Sequence, residues 1–174
     1  MLVRWKGWHL IIDAIAALPA NVRERIRFDH IGGTGGIPDA ERYAAELRAS
    51  TTRLGLDNVI AWRGEQASSV RLLSEINCLV VASHQEPFSI AVLEALSSGV
   101  PVLAADSGGA QDLIVEGRSG WFFRSGDAAS LAAKLEMLAT TDALQRAEVD
   151  LELVRPFTAP VVAKQWLDVY AGLT

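Results

Sequence analysis

Apolar positions fall into two rhythms along this chain. In HLIIDAIAAL, residues 9–18, Leu10, Ile11, Ala14, Ile15 and Leu18 share one helical face, and Pro19 ends the run. The same spacing predicts helices over DAERYAAELRASTTRL, with Asp39 as N-cap, and over SSVRLLSEI. It predicts others over SIAVLEALSSG, begun by Ser89 and stopped by Gly99, over GAQDLI, over DAASLAAKLEMLAT, capped by Asp127, and over TAPVVAKQWLDVYAGL. Between them lie shorter runs without that period: RIRFDHIGG, DNVIAWRG, CLVVAS, VPVLAAD and GWFF. These read as strands, and CLVVAS and VPVLAAD are apolar enough to be buried on both faces.

The order is mostly strand, helix, strand, helix. That alternation predicts an α/β fold, a doubly wound, mostly parallel sheet with helices on both faces. A length of 174 residues and a hydrophobic fraction of 50% suit one domain spanning 1–174. In such folds a ligand sits beyond the carboxyl ends of the strands. The loops to inspect are therefore GGTGG, RGEQ, SHQEPF and DSGG.

Composition narrows the partners. A net charge of −5 with no clustered basic face argues against nucleic acid. The lone Cys78 sits in an apolar run and reads as a small core residue. No apolar run reaches transmembrane length, and the N-terminus lacks a signal-peptide layout, so a soluble cytoplasmic setting is expected. His9, His30 and His84 are not spaced as metal ligands; no metal and no cofactor is expected. His9 and His30 are expected to pack or hydrogen-bond within the fold.

Three stretches carry candidate chemistry. GGTGG, residues 32–36, has the setting of a dinucleotide loop, but counting from Gly33 puts Pro38 where the third glycine belongs. It reads either as a turn or as a place where backbone approaches a ligand. EPFSIAVLEALSSGVPV places Glu86 in a strand-following loop and opens a helix at Phe88, Ser89 and Ile90, whose free amides suit an anion. Glu94 sits inside that helix beside small Ala91, Ala95 and Ser98. It is either an ordinary solvated glutamate or a carboxylate able to accept both hydroxyls of a ribose. Lys6, just before the first helix, is either a surface lysine or a phosphate ligand.

Taken together, SHQEPFSIAVLEALSSGVPVLAADSGG and GWFF resemble the donor-binding half of a retaining, nucleotide-sugar-dependent glycosyltransferase of the GT-B fold. More narrowly, the chain is similar to the bacterial glycosyl group 1 transferases of family four. Their hallmark is a glutamate, seven residues, a second glutamate, a small pair, glycine and PV. Glu86, Glu94, Ala95, Gly99, Pro101 and Val102 stand in those places. WKG at Lys6, HIGGTGG, AWRG and DSGGAQDLI agree with it.

The resemblance implies roles. Glu86 steadies the hydroxyls of the transferred sugar, and Lys6 neutralises the phosphates and assists departure of the nucleotide. Glu94 holds the ribose, and the Phe88, Ser89 and Ile90 amides meet the pyrophosphate. Gly33, Gly64 and Glu65 border the nucleotide. The donor is a nucleotide-diphosphate sugar. The acceptor is a glycan, a lipid or a small molecule, with peripheral membrane association of the full-length enzyme as one setting.

Two departures qualify this. Pro87 and Ser89 stand where the family often has glycines. The family's arginine, about five residues before the lysine, falls at Met1, and Arg4 is expected to point elsewhere. The resemblance thus implies a C-terminal half, cut inside its first strand and lacking the acceptor-binding domain, and inactive alone. The final helix is expected to meet that absent half. The alternative is a non-catalytic nucleotide-binding or interaction module that kept the fold.

Overall fold

The computed structural model describes residues 1–66, 68–84 and 86–173, without the side chains of Ser69 and Val70. Gln85 of the SHQEPF loop therefore lies outside the described residues. The order begins with a 3-10 turn at Arg4–Lys6, then α1 (Trp8–Ala17), α2 (Ala20–Arg23), β1 (Phe28–Ile31), α3 (Pro38–Arg53) and β2 (Ile60–Gly64). It continues with α4 (Ser69–Leu73), β3 (Leu79–Val81), α5 (Ile90–Ser97), β4 (Val102–Ala105), a 3-10 turn at Gly108–Asp112, and β5 (Gly120–Phe123). After α6 (Ala128–Thr140), two 3-10 turns at Leu151–Leu153 and Arg155–Phe157 lead to α7 (Ala159–Ala171).

Every strand pairing is parallel. The strands form two hydrogen-bonded sets, β1–β2 and β3–β4–β5, rather than the single sheet that the alternation predicts. Residues 1–7 link them at their carboxyl ends. The Leu2 amide donates to the Gly33 carbonyl (2.9 Å) beyond β1, and the His84 amide beyond β3 donates to the Trp5 carbonyl (2.8 Å). Arg4–Lys6 winds as a 3-10 turn and so offers neither sheet a ladder.

Two apolar clusters flank the strands. Period-two alternation in β4 serves both: Leu103 and Ala105 face α1 and α6, whereas Val102 and Ala104 face α5. All four are buried, as the continuous apolar run requires. The first cluster extends without a break to Phe28 and Ile60 and joins the two sets beneath α1 and α3. In α1 the buried residues are Ile11, Ile12, Ala14 and Ile15; Leu10 is half-buried. The wider stripe follows from α1 packing against both α3 and α6.

Capping is partly as expected. The Asp127 carboxylate accepts from the Ser130 amide (2.9 Å). Asp39 does not cap α3, because Pro38 takes the first helical position and Ile37 becomes N-cap; Asp39 pairs with Arg42 instead. Ser89 holds the N-cap position of α5, but its hydroxyl makes no capping bond. Among the described residues no helix is long and apolar enough to cross a membrane.

Candidate functional site

The loops flagged in the sequence gather at the carboxyl ends of the strands. Lys6 reaches this edge because Gly7 turns the backbone at φ +74° and lies against the end of β3. A Cβ on Gly7 would stand 2.1 Å from the Ala82 carbonyl oxygen, so only glycine fits. With Trp5 tied to His84, Lys6 is held beside the loop after β3. Its ammonium lies 4.2 Å from the centre of the Trp5 ring.

Lys6 Nζ donates to Glu86 Oε1 at 2.7 Å. The Glu86 side chain is 15% exposed and that of Lys6 30%. The second oxygen, Oε2, is buried and has no hydrogen-bond partner among the described residues. Buried acceptors are normally satisfied, so this oxygen stands out among the described side chains.

A glycine pair fixes the backbone of Glu86. Gly108 adopts φ +71°, and a Cβ there would stand 2.0 Å from the Glu86 carbonyl oxygen. The Gly109 amide donates to that same oxygen (3.1 Å), and a Cβ on Gly109 would meet the Pro87 carbonyl at 2.3 Å. The DSGG element thus clamps the loop that carries Glu86. Its family match is legible in the sequence; its physical role is not.

Beyond Glu86 the chain enters α5. Among the described residues the Phe88, Ser89 and Ile90 amides have no protein acceptor. Ser89 is buried, Phe88 is exposed with its ring centre 5.3 Å from that of Phe157, and Ile90 is exposed. Glu94 follows one turn in and is exposed. It lines a separate cavity of about 310 Å³ with Leu73, Ser97, Ser98 and Phe157. Ala95 is not on this face, as the sequence spacing suggested, but turns into the core. The polar face is Glu94, Ser97 and Ser98.

On the β1–β2 side, Gly33 and Glu65 meet. A Cβ on Gly33 would stand 2.4 Å from Glu65 Oε1. The Gly64 carbonyl accepts from the Gly32 amide (2.8 Å), and Gly64 adopts φ +69° at a break in the β1–β2 register. GGTGG and RGEQ therefore form one ledge.

The histidines divide. His30 is buried between Trp8 and Trp62, at ring distances of 4.8 and 5.3 Å. Burial, with the Met1 amino group and Arg48 adding to it, lowers its pKa to about 4. His9 Nδ1 lies 2.9 Å from the Tyr43 hydroxyl. Both therefore pack within the fold. His84, two residues before Glu86 on a loop that the strand order marks as a ligand edge, bridges loops: its Nδ1 lies 3.2 Å from the Ser125 hydroxyl, and the Ser125 amide donates to Asp106 Oδ1 (2.7 Å). No motif signals this link, because its members lie on three separate loops. Burial pushes the Cys78 thiol up to about 12, which suits a packing role. Arg4 turns away from Lys6 to Glu46 (2.6 Å) and the face of Tyr43.

Comparison with known proteins adds a family. Residues 1–148 match the family model described as glycosyl transferases group 1. The lipopolysaccharide core biosynthesis glycosyltransferase LpsE of Rhizobium meliloti (strain 1021) is 27% identical over 173 residues, 98% of this chain and 47% of that protein. A D-inositol 3-phosphate glycosyltransferase of Streptomyces scabiei (strain 87.22) is 30% identical over 141 residues, 78% of this chain and 31% of its own. Among solved structures, Anabaena Alr3699/HepE in complex with UDP superposes with a TM-score of 0.71 at 27% identity, over 93% of this chain and 46% of that one. The chain spans about half the length of LpsE and of HepE, or less. A sucrose-phosphate synthase from Thermosynechococcus elongatus, at 23% identity and a TM-score of 0.84, shares the fold. With the family model covering most of its length, and with parallel sheets flanked by helices as in its GT-B neighbours, the chain belongs to the glycosyl transferases group 1 family.

Proposed function

We propose that this domain binds a nucleotide-diphosphate sugar and presents it for retaining transfer to an acceptor held by a second domain. The observation that carries the reading is the Glu86 carboxylate, with Oε1 on Lys6 and Oε2 buried without a donor. An unsatisfied buried acceptor costs about 1–3 kcal/mol, which a sugar hydroxyl would relieve. Lys6 is then the point charge for the diphosphate, and the Phe88, Ser89 and Ile90 amides at the start of α5 take its remaining oxygens. The resemblance, rather than the cavity that Glu94 lines, makes Glu94 the acceptor of the ribose hydroxyls, and the ledge of Gly33, Gly64 and Glu65 borders the nucleotide. Charge that develops on the departing diphosphate meets groups already in place. The proposal calls on no metal ion. The solved HepE structures include complexes with UDP and with UDP-glucose, which supports a donor of this class.

The acceptor is a glycan, a lipid or a small molecule; a lipid acceptor would place the whole enzyme at a cytoplasmic membrane face. A non-catalytic nucleotide-binding module is the second reading. It is favoured by Arg4, which is committed to Glu46 and cannot serve as a second phosphate ligand in this arrangement.

Calorimetry with UDP, GDP, ADP and their glucose conjugates tests the reading. At least one nucleoside diphosphate binds with a Kd between micromolar and millimolar, with or without EDTA. Glu94→Ala weakens nucleoside diphosphate and sugar nucleotide alike, about tenfold or more. Glu86→Ala spares the nucleoside diphosphate and weakens the sugar nucleotide. Absence of binding by all of them at millimolar concentration rejects the donor site. Binding that ignores the sugar selects the non-catalytic module.

A further inference from the structure

At the opposite end of β1 and β2 lies a second concavity, about 550 Å³, lined by Arg23, Glu24, Arg27, Leu56, Asn58 and Val59 among others. Arg27 immediately precedes β1, and Val59 immediately precedes β2. The cavity therefore opens at the amino ends of the strands, whereas Gly33, Gly64 and Glu65 stand at their carboxyl ends. It is a different place from the donor site.

The chain has sixteen lysines and arginines. Ten hold a carboxylate: Arg4, Lys6, Arg42, Arg63, Arg71, Arg118, Arg124, Lys134, Arg146 and Arg155. Among the described residues this leaves Arg23, Arg25, Arg27, Arg48, Arg53 and Lys164 without one. Arg23 and Arg27 line the cavity, Arg25 lies between them, and Arg53 adjoins its wall at Leu54. In a chain of net charge −5, carboxylates are plentiful, yet this cluster stays unpaired. Glu24 lines the same cavity and makes no ion pair with either arginine.

The guanidinium groups are only partly used. Arg23 Nη1 donates to the Ala16 carbonyl at 3.4 Å. Arg27 Nη1 donates to the Ile26 carbonyl at 2.7 Å and to the Glu24 carbonyl at 3.5 Å. Each guanidinium has five N–H groups in a planar fork, so most remain available on both. Asn58 can add an amide donor. Leu54, Leu56 and Val59 supply an apolar wall, and the volume is that of a small-molecule site. The N–H groups left over from these carbonyl bonds, on two arginines that line one cavity beside apolar surface, suit an anion with an organic part.

We infer that this cavity binds an organic phosphate, with Arg23 and Arg27 as bidentate ligands and the leucine–valine wall against its carbon skeleton. The inference does not rest on the donor-site reading. A soluble phosphate ester and a phospholipid headgroup share this chemistry.

The test uses the full chain, with resonances of the Asn58 side-chain amide and the Leu56 and Val59 methyls followed by NMR. Glycerol 3-phosphate is expected to shift them in a saturable way, and inorganic phosphate to do so more weakly. Arg23→Gln/Arg27→Gln weakens the response at least tenfold, and Arg27→Lys, which keeps charge but loses the fork, weakens it less. Lys6→Ala leaves it intact, which separates this site from the donor site. Co-sedimentation with phosphatidylglycerol–phosphatidylcholine vesicles, abolished in the double variant, identifies a lipid headgroup as the source; saturable glycerol 3-phosphate shifts without co-sedimentation identify a soluble ester. Unmoved Asn58, Leu56 and Val59 resonances in the unsubstituted chain at millimolar glycerol 3-phosphate, or shifts that the double variant retains, overturn the inference.

Discussion

Single residues set the strain and the charge at the candidate site. Gly108 is the sharpest case, since a side chain there meets both a positive φ and the Glu86 carbonyl. Gly108→Ala is expected to cost at least about 1–3 kcal/mol. It should also weaken sugar-nucleotide binding more than nucleoside diphosphate binding, because it is Glu86 that moves. Denaturant melts and paired titrations measure both. His30 makes a pH-dependent prediction. Its folded pKa of about 4 lies below the unfolded value of 6.5, so the unfolded chain binds the extra proton. The contribution is intact above about pH 6.5 and is lost as pH falls towards 4. The difference of roughly 2.5 pKa units corresponds to about 3 kcal/mol. Stability measured from pH 7 to 4 should fall less steeply in His30→Gln than in the parent. Equal slopes would remove His30 as the cause. The pH response is invisible in the sequence, where His30 is one histidine in a strand; two tryptophans from distant positions create it.

At the scale of elements, α7 differs from every other long helix. None of its residues is buried, and Trp166, Leu167, Val169, Tyr170 and Leu173 are exposed along α7 and just beyond it. It touches the preceding 3-10 turn at Arg155–Phe157. A thirteen-residue helix with so little packing is marginal in water. Its amides should therefore exchange with solvent orders of magnitude faster than those of α1 or α6. Removal of residues 159–174 should change the unfolding free energy by less than about 1 kcal/mol. Slow exchange in α7 would show that it packs on the domain. The exposed apolar groups also predict concentration-dependent self-association, which sedimentation can detect and Trp166→Glu should reduce. The periodicity of this segment was plain in the sequence, but amphipathicity promises only a face to bury, not a surface on which to bury it. In the proposed enzyme that face would meet the second domain.

For the whole molecule, the parallel strands bring distant segments to one edge. Lys6 and Glu86 are 80 positions apart in sequence and 2.7 Å apart in space. A ligand at that edge would bridge the Arg4–Lys6 turn, the loop after β3 and the start of α5, so binding should stabilise the domain globally. At a nucleoside diphosphate concentration one hundred times its Kd, linkage gives about 2.7 kcal/mol. For a domain of this size that is a rise in Tm of about 5–10 °C. Lys6→Ala should abolish most of the rise at the same concentration. A full rise in that variant would place the nucleotide elsewhere.

The sequence alone determined the α/β class, most of the order of elements (α2 and the 3-10 turns at Leu151–Leu153 and Arg155–Phe157 aside) and the Glu86–Glu94 motif, because these follow from local periods and from residues close along the chain. Apolar spacing of 3.6 or 2 is set by helix and strand geometry and is legible wherever one face is buried. Tertiary structure alone decided what touches what. It placed Lys6 on Glu86, left Oε2 without a donor, laid Gly108 and Gly109 on the Glu86 backbone, and turned Arg4 to Glu46. It also divided the strands into two sets and left α7 uncovered. Each of these outcomes depends on contacts between residues far apart in the chain, and no local pattern encodes a distance across the fold.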